Sequence, residues 1–365
     1  MPYDATTASD SRPSNSSTPP ASSRLRLGYK ASAEQFGPVD LLRFGVEAEQ
    51  QGFDSVFVSD HLQPWWHDGG HAPAAIPWLA ALGAATSHIT IGTSVLTPTF
   101  RYHPGVIAQA FATLGCLYPG RVVLGVGSGE ALNEVALGSA WPDAKERFAR
   151  LKEAIDLIQT LWRDERINYQ GTYYQTDRVT IYDLPDVPVP IYLAASGPST
   201  ARLAGRVADG FITTSGKPAS LYQETLLPAV RQGVEKAGRP QSDIDLQIEV
   251  KVSFDADHDQ AVADTRHWAT LSLTPEQKVG IDDPLIMQER AAQLPMDRVM
   301  SRWIVSSDPD EHVERIATYL DMGFRHLIFH APGPDQSRFL ALYGRDILPA
   351  LRTRFAELSE NQRGG

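Results

Sequence analysis

The stretch Asp54-Ser-Val-Phe-Val-Ser-Asp-His61 decides how the rest of the chain is read. Residues 55–59 have the composition of a buried strand, and a carboxylate and an imidazole, Asp60 and His61, follow where that strand stops. The carboxyl end of a strand is where α/β folds set their chemistry, because the loops vary there while the sheet holds them still. Trp65, four residues on, offers an aromatic wall beside the two titratable groups. A histidine next to a carboxylate is also a common satisfied polar pair. Position at a strand end, Trp65 and a second carboxylate, Glu130, together favour an enzyme site.

Working outward, strand and helix signals alternate. Strands are predicted at 25–29, 55–58, 89–93, 121–126, 191–194, 210–213, 247–254 and 326–330, with helices between most of them. In 146–162, Phe148, Leu151, Ile155, Ile158 and Leu161 recur at spacings of three or four, the period of one helix face. Pro38 and Pro104 open helices as proline does in a first turn, and Gly52 stops one. The segments 52–60, 209–216 and 323–333 each run Gly-Phe, strand, polar loop, a weak internal repeat. Alternation of this kind gives parallel strands with right-handed crossovers. A doubly wound open sheet competes, but eight units favour a closed α/β barrel of the (β/α)8 type. Two segments break the rhythm. Residues 167–182 read as an inserted β-hairpin, and 269–299 show no clean period. Both are expected as excursions over the carboxyl-end face, where they would cover a ligand.

The 365 residues, 42% of them hydrophobic, suffice for one large core. Against 44 acidic residues stand 33 basic ones, a net charge of −11. That argues against a nucleic-acid or membrane-surface partner, and any anionic ligand must be held by a local cluster of cations. A single cysteine, Cys116, excludes an intrachain disulfide and fits a reducing, cytoplasmic setting. It lies in the apolar run FATLGCLY and is expected as a small core residue. Residues 1–23 are rich in Ser, Thr and Pro, lack a signal-peptide core and are read as a disordered tail. The barrel domain is assigned to 24–356 and a flexible C-terminus to 357–365.

Three further motifs carry groups with chemistry of their own. Gly125-Val-Gly-Ser-Gly-Glu130 fails the dinucleotide fingerprint: its third glycine comes one place early, and it follows the fourth strand, not the first. It remains either a plain turn or a loop whose bare backbone lies flat against a planar ligand. His67-Asp-Gly-Gly-His71 has metal-like spacing, but two glycines between the rings oppose a shared helical face, so no metal site is assigned. Thr213-Thr-Ser-Gly-Lys217 follows a strand directly and offers hydroxyls, backbone N–H groups and an ammonium, a set that suits a phosphate.

Leu27-Gly-Tyr-Lys-Ala-Ser-Ala-Glu-Gln-Phe36, Val58-Ser-Asp-His61, Gly92-Thr-Ser-Val-Leu-Thr-Pro-Thr-Phe-Arg-Tyr102, Leu124-Gly-Val-Gly-Ser-Gly-Glu-Ala-Leu-Asn133 and Ile328-Phe-His-Ala-Pro-Gly333 closely resemble the coenzyme F420-dependent glucose-6-phosphate dehydrogenases. These belong to the luciferase-like flavin and deazaflavin barrels, and the likeness spans 25–351. The resemblance implies a homodimeric (β/α)8 barrel with the deazaflavin at its carboxyl end. It implies cofactor contacts from Asp60, Thr97, Ser128, Gly129, Asn133, Ser196, Gly197, Ser199 and Thr200, and a non-proline cis peptide at Ser94-Val95. His61, Trp65 and Glu130 correspond to the catalytic positions, and Thr214, Lys217, Lys278 and Arg302 to the sugar-phosphate positions. Ser128 stands where the family often has threonine, Ser196 replaces a common glycine, and Ser199-Thr200 replace apolar residues.

The reaction so implied moves a hydride from C1 of glucose 6-phosphate to C5 of F420. Two protons then need handling, and two titratable groups are at hand. Glu130 is assigned as acceptor and His61 as donor, with Asp60 orienting a neighbour and Trp65 excluding water. The rival readings are F420-dependent oxidation of another hexose 6-phosphate, an FMN-dependent monooxygenase, and a non-catalytic sugar-binding protein.

Overall fold

The computed structural model describes residues 24–363. Nine strands run β1 Arg26–Ala31, β2 Ser55–Val58, β3 Thr90–Thr93, β4 Val122–Val126, β5 Ile191–Ala194, β6 Gly210–Thr214, β7 Asp245–Phe254, β8 Ile304–Ser306 and β9 His326–His330. Every pairing between them is parallel. The order β1 to β7, then β9, returns to β1, so eight strands close a barrel. This is the (β/α)8 fold expected. The strand not foreseen, β8, pairs only with Val252–Phe254 at the far end of β7.

Why these strands close, and with what inside, follows from β7. Its sequence, DLQIEVKVSF, alternates polar and apolar without a break. Successive side chains of a strand face opposite ways. Ile248, Val250 and Val252 therefore enter the core between strands and helices. Asp245, Gln247, Glu249 and Lys251 turn into the barrel, all at most 8% exposed. The interior is layered. At the amino end Asp245 pairs with Arg26 and lies 3.0 Å from His326 Nδ1, whose Nε2 lies 2.8 Å from Ser55 Oγ. Burial opposes ionisation of Asp245, but Arg26 and His326 outweigh it and hold the carboxyl at about 2. Phe57, Val123, Tyr192, Ile212 and Ile328 form an apolar layer above, with Val95 and Ala194 packed on it. A charged layer caps the carboxyl end: Glu249 lies 3.5 Å from the ammonium groups of both Lys30 and Lys251, and 3.4 Å from His330 Nδ1.

The two irregular segments lie outside this frame. Residues 167–182 make only two isolated antiparallel bridges, Ile167 with Val179 and Gln170 with Gln175, so the expected hairpin is a loosely paired loop. Residues 269–299 contain short helices, Pro275–Lys278, Pro284–Ala292 and Met296–Met300. They share a small core of Leu273, Ile281, Met287, Leu294 and Val299, against which Trp65 and Trp66 pack. Helices of fewer than three turns are too short to display a period, which is why the sequence reads as irregular there.

A helix at Ala75–Ala85 also went unseen, because its run AIPWLAALGAA is apolar on nearly every face. Cys116 was expected in the core and is exposed, on the outer face of the helix Pro104–Leu117. The last helix runs Leu348–Arg363, past the boundary drawn at 356. The tail assigned to 1–23 and the last two residues lie outside the described part. Among the described residues no helix is long and apolar enough to cross a membrane.

Candidate active site

The carboxyl ends of β1, β2 and β4 converge on His61. Its Nε2 lies 3.4 Å from Glu34 Oε1 and 3.9 Å from Glu130 Oε2. Its ring centroid is 5.4 Å from that of Trp65. Asn133, from the short helix after β4, approaches His61 Nδ1 at 3.2 Å, and its Oδ1 accepts from the backbone N–H of Leu62 at 2.8 Å and Gln63 at 3.2 Å. His61, Trp65 and Glu130, expected as the catalytic group, thus lie together, and Asn133, expected against the cofactor, joins them.

The two carboxylates beside His61 differ in kind. Burial works against charge on Glu34, but His61, Lys30 and the Ser59 hydroxyl, which donates at 2.5 Å, outweigh it and hold its carboxyl below the usual range. Burial pushes the Glu130 carboxyl up, Glu34 adds to this, and His61 and Lys278 only partly offset it. Glu130 Oε2 is buried with no hydrogen-bond partner. Two carboxylates on one imidazole, one held ionised and one tuned to take a proton, are a division of labour suited to acid–base chemistry.

Asp60 stands behind this group. Its carboxylate pairs with Arg101, and it accepts from Ala75 N at 3.3 Å and Tyr102 Oη at 3.4 Å. Arg101 also lies 3.5 Å from Glu134 Oε1. Asp60 therefore ties the end of β2 to the start of the helix Ala75–Ala85 and to the loop after β3.

A planar group would find its floor beside this cluster. Val95 and Ala194 are partly exposed on the apolar barrel layer, and the peptide Ser94-Val95 is cis. Lys30 Nζ donates to the Ser94 carbonyl at 2.5 Å. Gly129 has φ +77, and a Cβ on it would stand 2.8 Å from Thr97 Cγ2, so only glycine lets the loop lie this close. Ser196, Gly197, Ser199 and Thr200 gather at the start of the helix Pro198–Val207, whose N-cap Gly197 offers no side chain and has open space around it. Free N–H groups at a helix start suit a phosphodiester. An apolar floor, a bare-backbone wall and an uncapped helix end together fit a deazaflavin with an anionic tail.

The cations sit further round the mouth. Gly216 (φ +76) packs on the Arg302 carbonyl, where a Cβ would come within 2.5 Å, so the loop Thr214–Lys217 and Arg302 share one wall. Arg302 Nε is buried without a hydrogen-bond partner. Neither Arg302 nor Lys217 forms an ion pair among the described residues. Lys278 Nζ lies 4.7 Å from the Trp65 ring centroid. Burial depresses its ammonium and Arg302 adds to that, while Glu130 opposes it, so Lys278 stands between the cations and the acid–base cluster. Burial lowers Lys217, helped by Arg302.

Sequence reasoning passed over Glu34, Arg101, Glu134, Glu249 and Lys251. Glu34 had a usable signal, a carboxylate just beyond a strand end. The alternation of β7 betrayed Glu249 and Lys251. His67 and His71 join no cluster of metal-ligating type among the described residues.

The fold and this mouth define a luciferase-like barrel oxidoreductase, and the luciferase-like monooxygenase family matches residues 21–326. Curated relatives narrow it. The chain is 68% identical over 335 residues to an F420-dependent glucose-6-phosphate dehydrogenase of Nakamurella multipartita, covering 92% of this chain and 98% of that one. It is 66% identical to the enzyme of the same name from Microbacterium testaceum, covering 91% and 99%. Among solved structures, an F420-dependent secondary alcohol dehydrogenase in complex with an F420–acetone adduct superposes with a TM-score of 0.86 at 34% identity, covering 90% and 99%. The chain belongs to the family of F420-dependent glucose-6-phosphate dehydrogenases.

Proposed function

We propose that this enzyme oxidises glucose 6-phosphate at C1 with coenzyme F420, yielding the 6-phosphogluconolactone and the reduced cofactor. The observation that carries the reading is that Lys217 and Arg302, which form no ion pair among the described residues, adjoin Lys278, and Lys278 in turn faces Glu130 of the His61–Glu34–Glu130 cluster. F420, when bound, supplies the hydride acceptor, at C5 of its ring. Lys217, Lys278 and Arg302, with the Thr214 hydroxyl, anchor the phosphate, so binding at the far end of the sugar orients C1. Glu130, whose carboxyl burial has pushed up, takes the proton of the C1 hydroxyl. His61 is the donor for the second proton, and the Gln63 carbonyl, 3.3 Å from Nδ1, accepts a hydrogen bond when that nitrogen is also protonated. Trp65 covers the reacting carbon and excludes water. Thr97, Ser128, Gly129 and the start of the helix at Pro198 hold the cofactor.

The same reading takes the protein as a cytoplasmic homodimer. Sedimentation tests the second copy. The function is tested by mixing the protein with oxidised F420 and a panel of hexose 6-phosphates. Bleaching with glucose 6-phosphate is expected. If no sugar phosphate bleaches F420, the reading fails.

A further inference from the structure

Asn133 and His61 together determine something neither determines alone. Asn133 Oδ1 accepts two backbone N–H groups, from Leu62 at 2.8 Å and Gln63 at 3.2 Å. Two N–H donors on one end of an amide identify that end as oxygen, so the end facing His61 Nδ1 at 3.2 Å is NH2. An NH2 group only donates. His61 Nδ1 must therefore present its lone pair, and the single proton of the neutral ring resides on Nε2. That is the nitrogen 3.4 Å from Glu34 and 3.9 Å from Glu130. The Gln63 carbonyl, 3.3 Å from Nδ1, competes, since only Nδ1–H could serve it. It loses in the neutral ring, because turning Asn133 round would set NH2 against two N–H groups.

We propose that Asn133 is a positioning residue that holds neutral His61 as its Nε2–H tautomer and so aims the proton-bearing nitrogen at Glu34 and Glu130. Its oxygen clamps the loop after β2 while its nitrogen reads the ring, so one side chain from beyond β4 fixes both the place and the tautomer of a residue beyond β2. The consequence for turnover rests on the function proposed above; the tautomer does not.

The test is long-range nitrogen–proton NMR on protein labelled with 15N-histidine, with the ring neutral and the His61 signals assigned by their loss in His61→Gln. Wild type is expected to show Nε2–H. Asn133→Asp keeps the shape and both backbone contacts but offers no donor, so the ring should change to Nδ1–H. A carboxylate on Nδ1–H also makes the doubly protonated ring more basic and a poorer donor from Nε2, so kcat with F420 and glucose 6-phosphate should fall as well. Nδ1–H in wild type overturns the proposal, and that measurement needs no variant to fold. So does Nε2–H retained in Asn133→Asp alongside a raised Kd for F420, which would make Asn133 a cofactor contact only. A wild-type protein inert with every sugar phosphate would end the functional reading and leave the tautomer to be decided by the spectrum.

Discussion

Truncating Arg302 separates phosphate anchoring from chemistry. The guanidinium makes no ion pair among the described residues, and its Nε is buried without a hydrogen-bond partner. Arg302→Ala therefore strands no counter-charge, and its cost to the fold should stay within about 1 kcal/mol. The Arg302 carbonyl that packs on Gly216 is backbone and survives the change. On the ligand side, a guanidinium–phosphate contact is a charge-assisted hydrogen bond worth about 1.5–3 kcal/mol. At about 1.4 kcal/mol per tenfold, KM for glucose 6-phosphate should rise by about 10- to 100-fold. The fall in kcat should be smaller, because His61, Glu34 and Glu130 stay in place. The assay is steady-state loss of the oxidised F420 absorbance, run with glucose 6-phosphate and with glucose. Removing the phosphate from the substrate acts as the second change of a double-mutant cycle, so kcat/KM for glucose should be nearly the same in wild type and variant. A KM within threefold of wild type, or an equal loss on glucose, would refute the reasoning.

Glu130→Gln should lower kcat by about 10²- to 10⁴-fold with little change in KM for the sugar phosphate. As acceptor, Glu130 must be ionised, and burial raises its carboxyl. Wild-type activity should thus fall as pH drops through that raised value, and the acid limb should vanish from the residual activity of the variant. Gly216→Ala forces a side chain into φ +76 and against the Arg302 carbonyl. It should cost about 1 kcal/mol or more in stability and raise KM for glucose 6-phosphate; an unchanged melting temperature and KM would place this loop elsewhere. Burial lowers His312 from 6.5 to about 3, and its Nε2 lies 2.7 Å from Tyr343 Oη. Because the unfolded chain binds the proton more readily, His312 contributes stability that is full above pH 6.5 and is lost toward pH 3. The slope approaches about 1.4 kcal/mol per pH unit, and His312→Gln should flatten melting curves recorded between pH 7 and 5.

Much of this was legible in the linear chain because local signals carry it. The alternation of apolar runs with helical periods marked the eight barrel strands. A carboxylate and imidazole directly after Val58, and hydroxyls with an ammonium after Thr213, marked two points of the mouth, because strand ends are where such groups accumulate. Family likeness pointed to further positions, Lys278 and Arg302 among them. The helix Ala75–Ala85 escaped because it lacks a polar face, and the short helices of 269–299 because a period needs several turns.

By itself, then, the sequence determined the order of strands and helices, the parallel barrel and the strand ends that bear reactive side chains, since these depend on neighbours within a few residues. Only the tertiary structure decided what those side chains became. Glu34 meets His61 across 27 positions and Asn133 reaches it across 72. Asp60 is committed to Arg101, and Glu249 is shared by Lys30, Lys251 and His330. Tautomer and protonation answer to charges and donors within a few ångströms, and barrel closure, not chain proximity, brings those groups together.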